Sequence, residues 1–166
     1  MISRTAGAAT IRTGLESGDV GAIVRMHGVL YGREHGFDAT FEAYVAEPLA
    51  RFALAASPRE RIWIAERHGE LVGSVAVVAE SLETAQLRWF LVAPDARGEG
   101  LGQRLLDEAI AFARAEGYRR MILWTVAGLE AAGRRYAAAG FVRTRQLPAR
   151  RWGVEVVEEL HELELG

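Results

Sequence analysis

The stretch Val92-Ala93-Pro94-Asp95-Ala96-Arg97-Gly98-Glu99-Gly100-Leu101-Gly102-Gln103 narrows the possible folds more than any other part of the chain. An apolar run, Leu87 to Val92, is stopped by Pro94, which cannot donate to a sheet ladder. Three alternating glycines follow, and from Leu101 onward apolar residues recur at helical spacing. The reading is strand, short loop, helix, with the glycines at the junction. The first N–H groups of a helix have no partner inside it. They lie at the positive end of the macrodipole, where an anion, typically a phosphate, is favoured. Glycine lets backbone and anion approach because no Cβ intervenes. Arg97 can add a charge-assisted contact. Taken alone, the glycines also suit a tight strand-to-helix turn. Spacing excludes two commoner phosphate loops. G-x-G-x-x-G fails because position 103 is Gln, and a loop ending in G-K-[ST] fails because Gln103 and Arg104 follow Gly102.

Elsewhere helical and strand patterns alternate, which points to an α/β or α+β layer architecture. Ala9 to Leu15 reads as a first strand. Ser17-Gly18-Asp19 opens a helix carrying Val20, Ile23, Val24, His27 and Leu30, and Gly32 to Gly36 breaks it. Asp38 or Thr40 caps a second helix with Phe41, Tyr44, Val45, Leu49 and Phe52, in which Pro48 predicts a break near Ala46 and Glu47. In Arg61 to Arg67, Ile62 and Ile64 alternate with Trp63 and Ala65. With the turn His68-Gly69 and the run Leu71 to Ala79, this predicts a hairpin. Ala85 to Val92 is a further strand. Leu101 to Glu116 is a helix with an apolar stripe of Leu101, Leu105, Ala109, Ile110 and Ala113, stopped by Gly117. Arg120 to Thr125 is a short strand and Leu129 to Ala139 a helix stopped by Gly140. Phe141 to Leu147 and Val154 to Leu165 close the fold as strands, the second half-exposed because its charges alternate with Val and Leu.

A length of 166 residues fits one domain, taken as 1–166. The net charge of −2 gives no electrostatic footprint for nucleic acid. With no cysteine, thiolate nucleophiles, disulfides and Cys-based metal sites are excluded, and the four histidines form no i, i+4 pair, so no metal is expected. No uncharged run approaches the ~20 residues a membrane helix needs, so no membrane partner is expected. Residues 1–14 show no apolar leader, and the expected setting is soluble and cytoplasmic.

The loop pattern that fits is R-x-x-G-x-G, formed by Arg97, Gly100 and Gly102. With Arg134-Arg135-Tyr136-Ala137-Ala138-Ala139-Gly140-Phe141, it makes the run Gln86 to Phe141 resemble the core of the GCN5-related N-acetyltransferase (GNAT) superfamily. The resemblance implies an α/β fold with a mixed, strongly twisted sheet of six to seven strands and about four helices. The sheet would splay between Leu87–Val92 and Arg120–Thr125. The implied cosubstrate is acetyl-coenzyme A, without a metal. Its pyrophosphate would lie on Arg97, Gly98, Glu99, Gly100, Leu101, Gly102 and Gln103, and its pantetheine arm along the backbone of Leu91 and Val92. Tyr136, four residues before Gly140-Phe141, takes the place of the family's general acid. The Asn that many members carry seven residues earlier is Leu129 here, which removes one polar contact to the coenzyme. A narrower likeness, in Leu87 to Val92, Leu123-Trp124-Thr125 and Trp152-Gly153, is to the acetyltransferase half of bacterial proteins fused to MarR-type regulators, and implies a bacterial enzyme.

The implied reaction is direct attack of a primary amine on the thioester, the acceptor being a small molecule or a peptide. The acceptor would approach over the first two helices and the late hairpin. A backbone N–H near Leu91 or Val92 is the expected oxyanion donor. Histone-acetylating relatives place Glu where this chain has Gln86, which cannot accept a proton. Glu83 is then a candidate base, with Glu80 beside it, and His27 with Glu34 is a second choice. Tyr31, Glu34 and Phe37 are candidate acceptor-site residues, although aromatic packing between helices explains Tyr31 and Phe37 as well. His27, Trp89 and Trp124 read as structural. Homodimerisation, common in the family, leaves no mark in the sequence. The rival class is a non-catalytic coenzyme A-binding sensor, favoured by Gln86 and Leu129 and opposed by Tyr136.

Overall fold

Ile62, Trp63, Ile64 and Ala65 are all buried, because the sheet they belong to is covered on both faces. In the computed structural model, which describes residues 7–166, the elements run β1 (Thr10–Thr13), α1 (Asp19–His35), α2 (Ala39–Leu54), β2 (Arg61–Arg67), β3 (Glu70–Ala79), β4 (Thr84–Val92), α3 (Leu101–Ala115), β5 (Arg120–Val126), α4 (Glu130–Ala139), β6 (Val142–Arg151) and β7 (Val154–Glu164). Residues 1–6 of the stretch read above as lacking a leader lie outside the described residues. This is the expected α/β architecture, a seven-stranded mixed sheet with four helices. The strand order is β1-β2-β3-β4-β5-β7-β6. Only β4 and β5 pair in parallel; all other neighbours are antiparallel.

Each face has its own core. Trp63 and Ala65 join Leu105, Leu106, Ala109 and Ala113 of α3, whose apolar stripe is buried as its spacing predicts. Ile62 and Ile64 join Ile23 of α1 and Phe41, Val45 and Leu49 of α2. Asp38 caps α2, accepting a hydrogen bond from the Thr40 amide at 2.9 Å.

Three elements depart from expectation. Helix α2 runs through Pro48 without a break. Val45 and Leu49, 3 % and 0 % exposed, anchor both sides of the proline. Burying two such side chains yields about 3–6 kcal/mol, enough to offset the ~3 kcal/mol an internal proline costs. Helix α1 passes Gly32 and ends only at Gly36, whose φ of 72° is open to glycine at little cost. Strand β6 extends to Arg151 through Pro148, which an edge strand tolerates.

Two irregularities shape the centre of the sheet. The β4–β5 ladder joins only Thr84–Gln86 to Arg120–Ile122, and beyond it the strands part, as the splay implied by the resemblance requires. On the other side of β4 the register jumps from Ala76↔Arg88 to Ser74↔Leu91, so Trp89 and Phe90 face the single residue Val75. This is a bulge, with Trp89 at φ 48°. Ser74 Oγ, buried, donates to the Trp89 carbonyl at 2.6 Å. The extra residue switches the alternation. Ala85 and Leu87 face α3, Trp89 faces α1 and α2, and Phe90 and Val92 return to the α3 side.

Candidate active site

The parting of β4 and β5 opens a cavity of about 730 Å³. One end meets the glycine loop, and the other runs beneath α1 and α2 to the β6–β7 turn at Trp152.

At the loop end, Gly98 and Gly100 adopt φ of 81° and 77°, which side-chain-bearing residues rarely take. Gly100 caps α3 without a side-chain hydrogen bond, and the first helical bond runs from the Arg104 amide to the Gly100 carbonyl at 3.1 Å. The amides of Leu101, Gly102 and Gln103 therefore have no partner inside the helix. Arg97 lines the cavity, but its Nη1 and Nη2 donate to Glu34 at 2.9 and 3.4 Å. Gly98, Gly100, Leu101, Gly102, Leu91 and Val92 also line it. Glu99 and Gln103 do not: Glu99 pairs with Arg67, and Gln103 Nε2 donates to Asp107 at 2.8 Å. A residue not anticipated is Arg135. Its guanidinium lies over Gly102, where a Cβ would come within 2.5 Å of Nη1, and it has no hydrogen bond or ion pair among the described residues. The only sequence signal for it was its place beside Tyr136.

Tyr136 lies on α4, buried against Phe90, Phe141 and His161, with its side chain on the cavity. Its hydroxyl has no hydrogen-bond partner among the described residues, and burial pushes its pKa above the usual 10. Tyr31, Glu34 and Phe37 also line the cavity. Burial, with a contribution from Glu34, raises the Tyr31 hydroxyl to about 12. Phe37 packs on Trp152 at 5.0 Å between ring centres, and Phe41 and Tyr44 lie within 5.3 Å of the same ring. Trp152 and Tyr44, which complete this aromatic wall, come from elements whose meeting the sequence did not reveal.

The base candidates fare differently. Glu83 precedes β4 at the closed end of the ladder, is exposed, and lies 3.7 Å from Arg119, off the cavity. His27 lines the cavity, but burial lowers its pKa to about 4. Its Nδ1 lies 2.8 Å from the Ile23 carbonyl, so the neutral ring donates there. Trp124 is 37 % exposed and lines the cavity rather than the core, because β5 has lost its neighbour at that point. Arg88, half-buried on β4, was not anticipated as a site residue and lines the cavity.

The family model described as the acetyltransferase (GNAT) family matches residues 30–141. An uncharacterised N-acetyltransferase of Schizosaccharomyces pombe is 33% identical over 120 residues, covering 69% of this chain and 71% of that protein. N-acetyltransferase family 8 member 3 of Rattus norvegicus is 34% identical over 87 residues, 49% of this chain, and the chain spans only 38% of its length. A putative acetyltransferase of Salmonella typhimurium, solved with its cofactor acetyl-CoA, shares the fold with a TM-score of 0.71 at 24% identity, over 96% of this chain and 95% of that one.

Proposed function

The chain belongs to the acetyltransferase (GNAT) family, and from that premise we propose that it transfers an acetyl group from acetyl-coenzyme A to a primary amine by direct attack. The observation that carries the reading is the parting of β4 from β5 beyond Gln86, which joins the glycine loop and Tyr136 in one cavity. The uncapped amides of Leu101 and Gly102, which line the cavity, take the diphosphate, flanked by the guanidiniums of Arg97 and Arg135. The backbone of Leu91 and Val92, beyond the bulge, takes the pantetheine arm and supplies the N–H for the oxyanion. As the C–N bond forms and the C–S bond breaks, Tyr136 holds the departing thiolate by a hydrogen bond, and the proton that the acylated nitrogen sheds converts it to the free thiol of coenzyme A. An amine of pKa about 10.4 is mostly protonated at pH 7 and must shed a proton to react. Glu83 is off the cavity, Glu34 and Glu158 are engaged by Arg97 and Arg151, and Glu130 is the remaining carboxylate on the lining; we assign that proton to water in the open cleft. A single unit over 1–166 and a cytoplasmic setting belong to the same proposal, as does a bacterial source, which alone rests on the MarR-fusion likeness.

The test is calorimetric titration with coenzyme A, followed by thiol release from acetyl-coenzyme A across a panel of amines. Binding with amine-dependent thiol release is expected. A folded protein that binds no coenzyme A refutes the proposal. Binding without release, whatever the amine, converts it to a coenzyme A sensor.

A further inference from the structure

Arg88 is a cation without a carboxylate partner among the described residues. Before the bulge, Ala85 and Leu87 face α3, so Arg88 faces α1 and α2, as does its cross-strand partner Ala76. It is half-buried on the cavity wall and makes no hydrogen bond or ion pair among the described residues. Its guanidinium lies 5.1 Å from the centre of the Trp89 ring. Burial lowers its pKa from the usual value, and the charged groups felt there are Arg51 and Glu80, with the Tyr44 hydroxyl. Of the three carboxylates on the same cavity, Glu34 is engaged by Arg97 at 2.9 Å and Glu158 by Arg151 at 2.6 Å, while Glu130 stands in the first turn of α4 and is not paired with Arg88. Arg88 is also far from the diphosphate cradle. It precedes Val92 by four residues, which the bulge fits opposite three of β3, about 10 Å along the strand, and the glycine loop lies beyond that.

A partly desolvated guanidinium is costly unless an anion meets it. Its planar fork suits a carboxylate, which it grips through two parallel bonds. The coenzyme's phosphates belong at the other end, so the anion must arrive with the acceptor. We propose that Arg88 binds the carboxylate of the acceptor, and that the substrate class is an α-amino acid. Tyr44 and Trp152, 5.3 Å apart between ring centres, line the same cavity with Trp124, so the acceptor's side chain is apolar. The proposal rests on the acetyl-transfer reading above and goes further by naming the substrate class.

The experiment compares L-leucine with L-leucinamide and 3-methylbutylamine, and L-phenylalanine with its amide and 2-phenylethylamine, at saturating acetyl-coenzyme A. The amides present a less basic, more available amine, so a preference for the free acid cannot come from nucleophile supply. In the wild type kcat/KM favours the free acid about 10- to 100-fold, the range for a hydrogen-bonded charge pair. In Arg88→Leu that preference collapses toward unity through KM, while the Kd for acetyl-coenzyme A is unchanged, and Arg88→Lys restores part of it. Preference for the neutral members, turnover of none of the six, or an unchanged preference in Arg88→Leu overturns the assignment. Turnover of the neutral amines alone leaves acetyl transfer standing and removes only the role of Arg88. Failure of the wild type to bind acetyl-coenzyme A removes both.

Discussion

In the proposed reaction Tyr136 serves as a hydrogen-bond donor more than as an acid. Even at ordinary values, a phenol of pKa about 10 protonating a thiolate of conjugate pKa about 8.5 works uphill by about 2 kcal/mol. Burial raises the phenol further and steepens that slope. Tyr136→Phe is therefore expected to lose about 100-fold in the chemical step, with KM for acetyl-coenzyme A unchanged. Single-turnover thiol release checks this, and an unaltered rate refutes the role. His27 makes a prediction about stability. Its folded pKa of about 4 lies below the free value of 6.5. Between those values the unfolded chain binds a proton that the folded chain refuses, so stability is full above pH 6.5 and falls as the pH drops toward 4. The loss approaches about 3 kcal/mol, and denaturant midpoints should show it in the wild type and not in His27→Phe. Tyr136 and the glycines were legible because each belongs to a local spacing. Arg88 and Arg135 were not: both fall inside runs that carry a resemblance, but no spacing there singles them out, and only tertiary packing turns them into the cavity.

Helix α1 and the loop before α3 are coupled through Glu34 and Arg97, far apart in sequence. A diphosphate arriving at the loop must compete with the carboxylate for the guanidinium. Arg97→Ala should weaken coenzyme A binding about 10- to 100-fold, and Glu34→Gln should strengthen it a few-fold. Calorimetry measures both, and weaker binding in Glu34→Gln would mean that the carboxylate aims Arg97 instead of competing for it. Element types were readable from periodicity throughout, and Asp38 was correctly among the cap candidates. The misreadings have physical causes. Pro48 and Gly32 carry local signals against helix, and packing of α1 and α2 on the sheet overrides them. The β4 bulge has no sequence mark of its own, since Trp89 is a residue whose propensity favours a regular strand.

At the scale of the molecule, one sheet separates two cores and is interrupted at a single ladder, β4–β5. A ligand filling that gap binds the folded state alone. At 100 times Kd, coenzyme A should add about 2.7 kcal/mol, which raises Tm by about 5–10 °C for a chain of this size; an unmoved transition at saturation would place the ligand elsewhere. Strand order was beyond the sequence, because β7 enters between β5 and β6 by pairings between distant residues. The sheet's outer margins follow from the same order. β1 is only four residues long, and β6 bears Arg143, Arg145, Arg150 and Arg151 with Pro148 among them. A short margin on one side, and on the other a missing donor at Pro148 among long charged side chains, three of them paired with Glu155, Glu158 and Glu159 of β7, offer a neighbouring molecule a poor template to extend. The protein can therefore keep a gap in the middle of its sheet without inviting runaway fibril growth at its borders.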